Sequence, residues 1–157
     1  AGWSNMGCTA KSLYEEGVKL SFEQWGAGDA TTYLANNTLT EANYVDPISD
    51  YGGNVNAVSD ITIKWDDSAS DEKKMERLIT QKWIAMFPNG QEGWSEIRRT
   101  GYPKVFPLAQ STDYSIQVAN RIPFDIDEAT NNKANYIKAV QMLKGNDDYA
   151  TKMWWQR

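Results

Sequence analysis

A chain of 157 residues is long enough for one ordinary domain, and a mean hydropathy of −0.63 describes a soluble, fairly polar protein. Sixteen Lys and Arg against twenty-one Asp and Glu give a formal charge of −5; with no basic run interleaved with aromatics, this argues against a phosphate-tracking surface and against nucleic acid as a partner. The absence of His removes Ser-His and Cys-His nucleophile pairs and every His-containing metal site, and the lone Cys8 makes neither an internal disulfide nor a zinc site.

The opening residues Ala1-Gly2-Trp3 are not an apolar segment, so Met6-Gly7-Cys8 lacks the h-region of a lipidation signal, and no apolar run in the chain is long enough to span a bilayer. From Thr9 or Cys8 a helix is expected to run to about Trp25. Leu13, Tyr14, Gly17, Val18, Phe22 and Trp25 form one stripe at helical spacing, with Gly26 as the stop. Gly17 inside that stripe costs roughly 1 kcal/mol relative to Ala, which predicts a close helix-helix approach there. Asp29 is suited to N-cap a shorter helix reaching about Leu39, with Tyr33 and Leu34 packed on the first.

From Thr40 to Ala69 turn formers follow one another, and the alternation in Asp60-Ile61-Thr62-Ile63-Lys64-Trp65 predicts at most a short extended segment. Ser68 and Asp71 have capping-box spacing ahead of Met75, Leu78, Ile79, Trp83 and Met86, which share one helical face. Phe87-Pro88-Asn89-Gly90 then reads as a type I turn with Pro88 in its second position. A further helix follows from Gln91 to Thr100, closed by Gly101, so that Trp83 and Trp94 meet near one corner.

An irregular crossing follows Gly101, and Arg121-Ile122-Pro123-Phe124 reads as extended. The last helix is expected from about Asn131 to Lys144, carrying Ala134, Ile137, Val140, Met142 and Leu143 and ended by Gly145. Trp154 and Trp155 are expected against an apolar surface. The pattern is mainly α: four or five helices, long irregular loops and little β-structure.

Several phrases, in this order, resemble the C-terminal region of the SusD/RagB family: Glu16-Gly17-Val18-Lys19-Leu20-Ser21-Phe22-Glu23-Gln24-Trp25; Ile79 through Glu92; Trp94-Ser95-Glu96-Ile97-Arg98-Arg99-Thr100-Gly101-Tyr102-Pro103; Arg121-Ile122-Pro123-Phe124; and Thr151-Lys152-Met153-Trp154-Trp155. Asp125 departs from the proline often found after the Arg-Ile-Pro-aromatic run. The resemblance implies a helical, tetratricopeptide-associated fold whose long loops present the ligand site. It implies a non-catalytic role, capture of oligosaccharide or another nutrient at the extracellular face of the bacterial outer membrane, with hand-over to a SusC-like TonB-dependent transporter. Such proteins are held to the membrane by an N-terminal lipidated Cys, which is expected to lie outside this chain. Family members are much longer, so residues 1–157 are expected to be a single C-terminal region of a larger chain.

No family motif transfers a ligand-binding residue onto this chain, so candidates come from chemistry alone. A glycan site needs flat aromatic faces on loops with planar polar groups beside them; Tyr44, Tyr51 and Trp65, near Asn54, Asn56 and Asp66, are the candidates, although loop aromatics also anchor their own loops. Arg98 and Arg99 stand as solvated or locally paired charges, as ligand contacts, or as a buried tie to a neighbouring loop. Glu96 and Arg99, three apart, suit a surface pair. The acids Asp66-Asp67, Glu92 with Glu96, and Asp147-Asp148 read as a turn, a helix face and a solvated tail rather than as a catalytic pair. Asp125-Ile126-Asp127-Glu128 and Asn146-Asp147-Asp148 lack EF-hand spacing. No enzyme, metal or cofactor is therefore expected. The alternative to nutrient capture is a helical scaffold that binds protein partners without a nutrient ligand.

Overall fold

The structure is a computed structural model describing residues 7–47, 53–107 and 118–156. Among these residues it is helical, with α1 (Ala10–Trp25), α2 (Thr31–Leu34), α3 (Asp71–Ala85), α4 (Gly90–Thr100), α5 (Ile126–Asn131) and α6 (Lys133–Leu143). One isolated antiparallel bridge, Tyr44 to Val55, is the β-structure among them. No helix among them is long and apolar enough to cross a membrane.

The ends of α1 follow from its sequence. Thr9 accepts from the Ser12 amide while the Ser12 hydroxyl accepts from the Thr9 amide, and Gly26 closes the helix in left-handed geometry at φ 62°. Of the apolar stripe, Tyr14 and Val18 are buried with Ala30 and Trp65, and Phe22, Tyr33 and Leu34 pack around them. The Phe22 and Tyr33 rings lie 5.2 Å apart, which places the α2 residues on α1 as the spacing predicts. α2 itself is a single turn. The cap position falls on Ala30 rather than on Asp29, which accepts from the Thr31 amide and hydroxyl one residue ahead of it, and Asn36 accepts from the amides of Thr38 and Leu39 and so diverts the backbone before a second turn forms.

α3 packs on α1 and α4, and α5 packs on α6. The cap of α3 is Ser70, whose hydroxyl accepts from the Lys73 amide; Ser68 instead donates to the Asp66 carboxylate in the preceding turn. α3 buries Ile79 of the predicted stripe at 2% exposure together with Glu76 and Arg77, while Leu78 and Trp83 of that stripe are exposed. The Arg77 Nε donates to the Thr62 carbonyl at 2.7 Å, so a charged side chain outside the predicted stripe ties α3 to the segment that precedes it.

The α3–α4 corner differs from the expected type I turn. The Phe87–Pro88 peptide is cis, and the Asn89 amide donates to the Met86 carbonyl at 2.7 Å, so Pro88 holds the third position of a Met86–Asn89 turn. Asn89 caps α4 and Gly101 ends it at φ 78°. The close approach expected at Gly17 occurs at Gly93: a Cβ there would meet the Trp83 indole Nε1 at 3.0 Å, whereas one on Gly17 would meet nothing within 4 Å. Trp83 and Trp94 line one apolar hollow at this corner, as the sequence suggests.

Glu96 is not half of a surface pair. It is 4% exposed, and its carboxylate takes Lys82 of α3 on one oxygen and Arg99 on the other, locking the two helices together. Burial pushes its carboxyl up, but the hydrogen bonds and charges of Lys82 and Arg99 outweigh that and hold it below its ordinary value. A depressed folded-state pKa contributes stability that is complete above about pH 4.3, the unfolded Glu value, and is lost as the pH falls through the folded value. Glu96→Gln lacks that titration. Its stability deficit relative to the parent, read from urea midpoints, is therefore expected to be widest near pH 7 and to shrink below about pH 4; a gap constant from pH 7 to pH 3 would contradict it.

The C-terminal third is tied down by polar groups. The Asn120 amide donates to the Tyr149 carbonyl and its side chain to the Ala150 carbonyl, while Gln156 donates to the Asn120 side chain. Asp147, expected in a solvated tail, is instead paired with buried Arg121 at 2.5 Å and also accepts from the Phe124 amide and the Tyr136 hydroxyl. Asp125 caps the unanticipated α5. Trp155 lies beside Arg98, but Trp154 is 91% exposed and has no apolar seat among the described residues.

Candidate functional site

The segment between α2 and α3 is fixed by its own polar side chains. Glu41 accepts from the amides of Val58 and Ser59, Asn43 from that of Ala57, and Asn54 from that of Asp46, with the Tyr44–Val55 bridge between. Residues 41–46 and 54–59 thus run side by side without a sheet, their backbone amides satisfied by Asn and Glu.

Two carboxylates on α3, one buried and one exposed, hold this segment and the one after α4 in place. The Glu76 carboxylate, 2% exposed, accepts from the Ser59 hydroxyl at 2.6 Å and pairs with Lys104 at 3.5 Å. Glu72 accepts from the Tyr102 hydroxyl at 2.9 Å. α3 therefore holds two separate loops at once, and their aromatic residues meet: the rings of Tyr44 and Phe106 lie 6.1 Å apart at 46°.

Tyr44 is 45% exposed, beside Val45 at 68%. It is the sequence candidate that presents an aromatic surface to solvent. Phe106 was not among the candidates, because Phe106-Pro107 reads as part of an irregular crossing; an aromatic beside a proline was the available signal. Tyr51 lies outside the described residues. Trp65 is placed differently: it is 7% exposed, 5.2 Å from the Tyr14 ring in the core, with its indole N–H donating to Asp67 at 2.8 Å. Burial, led by the loss of solvent, likewise pushes the Tyr14 phenol up, and its hydroxyl donates to the Ile63 carbonyl at 2.6 Å. Little of Trp65 is left for a sugar to stack on.

Arg98 takes the third of its possible roles. Its guanidinium lies 3.6 Å from the Trp94 ring centroid and 4.8 Å from that of Trp155, and it donates to the Asn120 carbonyl at 3.1 Å. Trp94 donates to the adjacent Ala119 carbonyl. The pair pins residues 119–120 to α4. The acids do not converge: Asp66 holds the Ser68 turn, Glu96 binds two cations and Asp147 binds Arg121.

Residues 1–156 match the SusD-like family model, described as SusD and RagB outer membrane lipoprotein. Among curated proteins no significant match is found. Among solved structures, the chain is similar to a chitin-binding SusD homologue from Flavobacterium johnsoniae, at 44% identity and TM-score 0.84 over 98% of this chain and 32% of that one. It is similar to a SusD-like protein from Bacteroides thetaiotaomicron at 46% identity and TM-score 0.84, covering 99% and 33%, and to a SusD homologue from Bacteroides uniformis at 44% and 0.84, covering 98% and 33%. The chain spans about a third of the length of these relatives.

Proposed function

We propose, since the chain belongs to the SusD and RagB family of outer-membrane lipoproteins, that it is the C-terminal region of a protein that captures glycan at the cell surface without catalysis and passes it to a SusC-like TonB-dependent transporter. The observation that carries the ligand reading is the Tyr44–Phe106 pair, two aromatic rings on separate loops with Tyr44 half-exposed. Aromatic faces suit the C–H surfaces of a pyranose, and the fixed loops beneath them reduce the entropy lost on binding. The chitin-binding relative makes N-acetylglucosamine oligomers the first ligand class to try.

Affinity electrophoresis of the full-length protein against a polysaccharide panel tests the reading. Retardation by at least one polysaccharide is expected, with no reducing-sugar release. Tyr44→Ala is expected to weaken it about tenfold, equivalent to about 1.4 kcal/mol, with an unchanged unfolding midpoint. Absence of retardation across the panel would favour the protein-binding scaffold, and sugar release would make the protein an enzyme. Co-purification of a large outer-membrane transporter tests the hand-over.

A further inference from the structure

We propose that Ser59, Glu76 and Lys104 are positioning residues of the glycan site: meeting at one buried carboxylate, they make the loop before α3 and the loop after α4 a single element that carries Tyr44 and Phe106 together. The effect on binding rests on the reading of the Tyr44–Phe106 pair as a ligand surface; the coupling of the two loops does not. The Ser59 hydroxyl and the Lys104 ammonium converge on the same oxygen of Glu76, Oε1, at 2.6 and 3.5 Å. Ser59 follows Val55, the bridge partner of Tyr44, in the loop before α3, and Lys104 precedes Phe106 in the loop after α4.

α3 grips these loops through Glu72, Lys73 and Glu76, and burial decides which contact carries the coupling. The Lys73–Asp60 pair has side chains 41% and 73% exposed, so water screens it and it adds little. The bond from the Tyr102 hydroxyl to Glu72 is exposed as well. The Glu76 side chain is 3% exposed. Its bond from Ser59 is therefore made to an ion out of water, where a charge-assisted bond is strong, and the Lys104 charge is weakly screened. Withdrawal of either partner leaves a buried charge underpaired, which opposes the movement of one loop without the other.

The aromatic contact does not supply this coupling by itself. Its ring centroids, 6.1 Å apart, lie toward the long end of the ~4.5–7 Å range of such pairs. The bonds of Glu41, Asn43 and Asn54 run within the loop before α3 and fix its shape, not its position relative to Phe106. Ser59 to Glu76 to Lys104 is a polar route from one loop to the other. A sugar that stacks across both rings meets a surface already assembled. With the route cut, part of the binding free energy goes into ordering the loops, and affinity falls.

In the full-length protein, 4-fluorophenylalanine in place of Phe106 reports the ring contact by fluorine NMR without any ligand, and Tyr44→Ala marks where the resonance lies when the contact is absent. Ser59→Ala and Lys104→Met are each expected to move the resonance toward that position, and Ser59→Thr, which keeps the hydroxyl, to leave it in place. The second readout is affinity electrophoresis with a polysaccharide that retards the parent. Ser59→Ala and Lys104→Met are expected to weaken retardation about threefold or more, but less than about twofold in the Tyr44→Ala background, where the ring to be positioned is gone. A loss that merely reflected stability would persist in that background. A resonance unmoved by both substitutions would overturn the coupling. Retardation equal to the parent's in both, or a loss undiminished in the Tyr44→Ala background, would overturn the positioning role. A resonance that moves in a protein no polysaccharide retards would support the coupling and remove the capture reading alone.

Discussion

Trp65→Ala is expected to cost about 3–5 kcal/mol of folding free energy, the range for removing a buried Trp. The indole is 7% exposed and packs with Tyr14, Val18 and Ala30, so its removal leaves a cavity between α1 and the segment that leads into α3. The Asp67 carboxylate also loses its donor. Urea unfolding followed by far-ultraviolet circular dichroism measures the loss, and Trp65→Phe, which keeps most of the ring volume, should recover the larger part of it. The same pair of variants separates a core residue from a sugar contact. Under conditions where both are folded, Trp65→Phe is expected to bind glycan like the parent. An unchanged midpoint for Trp65→Ala, with loss of glycan retardation, would return Trp65 to the ligand site.

Arg121→Met is expected to be comparably severe. Arg121 and Asp147 are 6% and 10% exposed at their side chains, and removing one member of a buried pair strands the other, at a cost of about 3–5 kcal/mol. In the parent, burial pushes the Asp147 carboxyl up, while Arg121, the Phe124 amide and the Tyr136 hydroxyl pull it below its ordinary value. Its contribution is therefore complete above about pH 3.9, the unfolded Asp value, and is lost as the pH falls through the folded one. In Arg121→Met the carboxylate keeps the Phe124 amide and the Tyr136 hydroxyl but loses its cation, and so picks up a proton more readily than in the parent. The gap between parent and variant in urea midpoint is thus expected to narrow on acidification, and a gap that widens would refute the pairing. In a double-mutant cycle, Arg121→Met with Asp147→Asn should show a coupling energy above about 1 kcal/mol.

Helices α1, α3 and α4 were legible because each carries a cap and an apolar repeat that act locally. The errors cluster where a side chain's choice of partner decides, near or far. Ser70 rather than Ser68 caps α3 because the Asp66 carboxylate claims the Ser68 hydroxyl. The close-approach glycine is Gly93 because Trp83, ten residues earlier in sequence and on another helix, turns toward it. Nothing in the sequence around Arg121 or Asp147 announces that twenty-six residues separate two halves of one buried ion pair. At the candidate site, Tyr44 was legible as a loop aromatic, while its pairing with Phe106 required the placement of two loops by Glu72 and Glu76. The alternation Ile61, Ile63, Trp65 was itself a sign that Trp65 faces inward.

The side-chain ladder joining residues 41–46 to 54–59 separates two design problems. Glu41, Asn43 and Asn54 close the base of the excursion from within it, and Ser59 with Glu76 anchors that base to α3. The connection between the two runs can then be lengthened or rewritten while the anchor remains, since doubling a flexible loop adds only about 0.6 kcal/mol of closure entropy. A helical frame built this way can be kept while the connection it anchors is exchanged, so sequence diversity there and constancy of the scaffold are compatible in one chain.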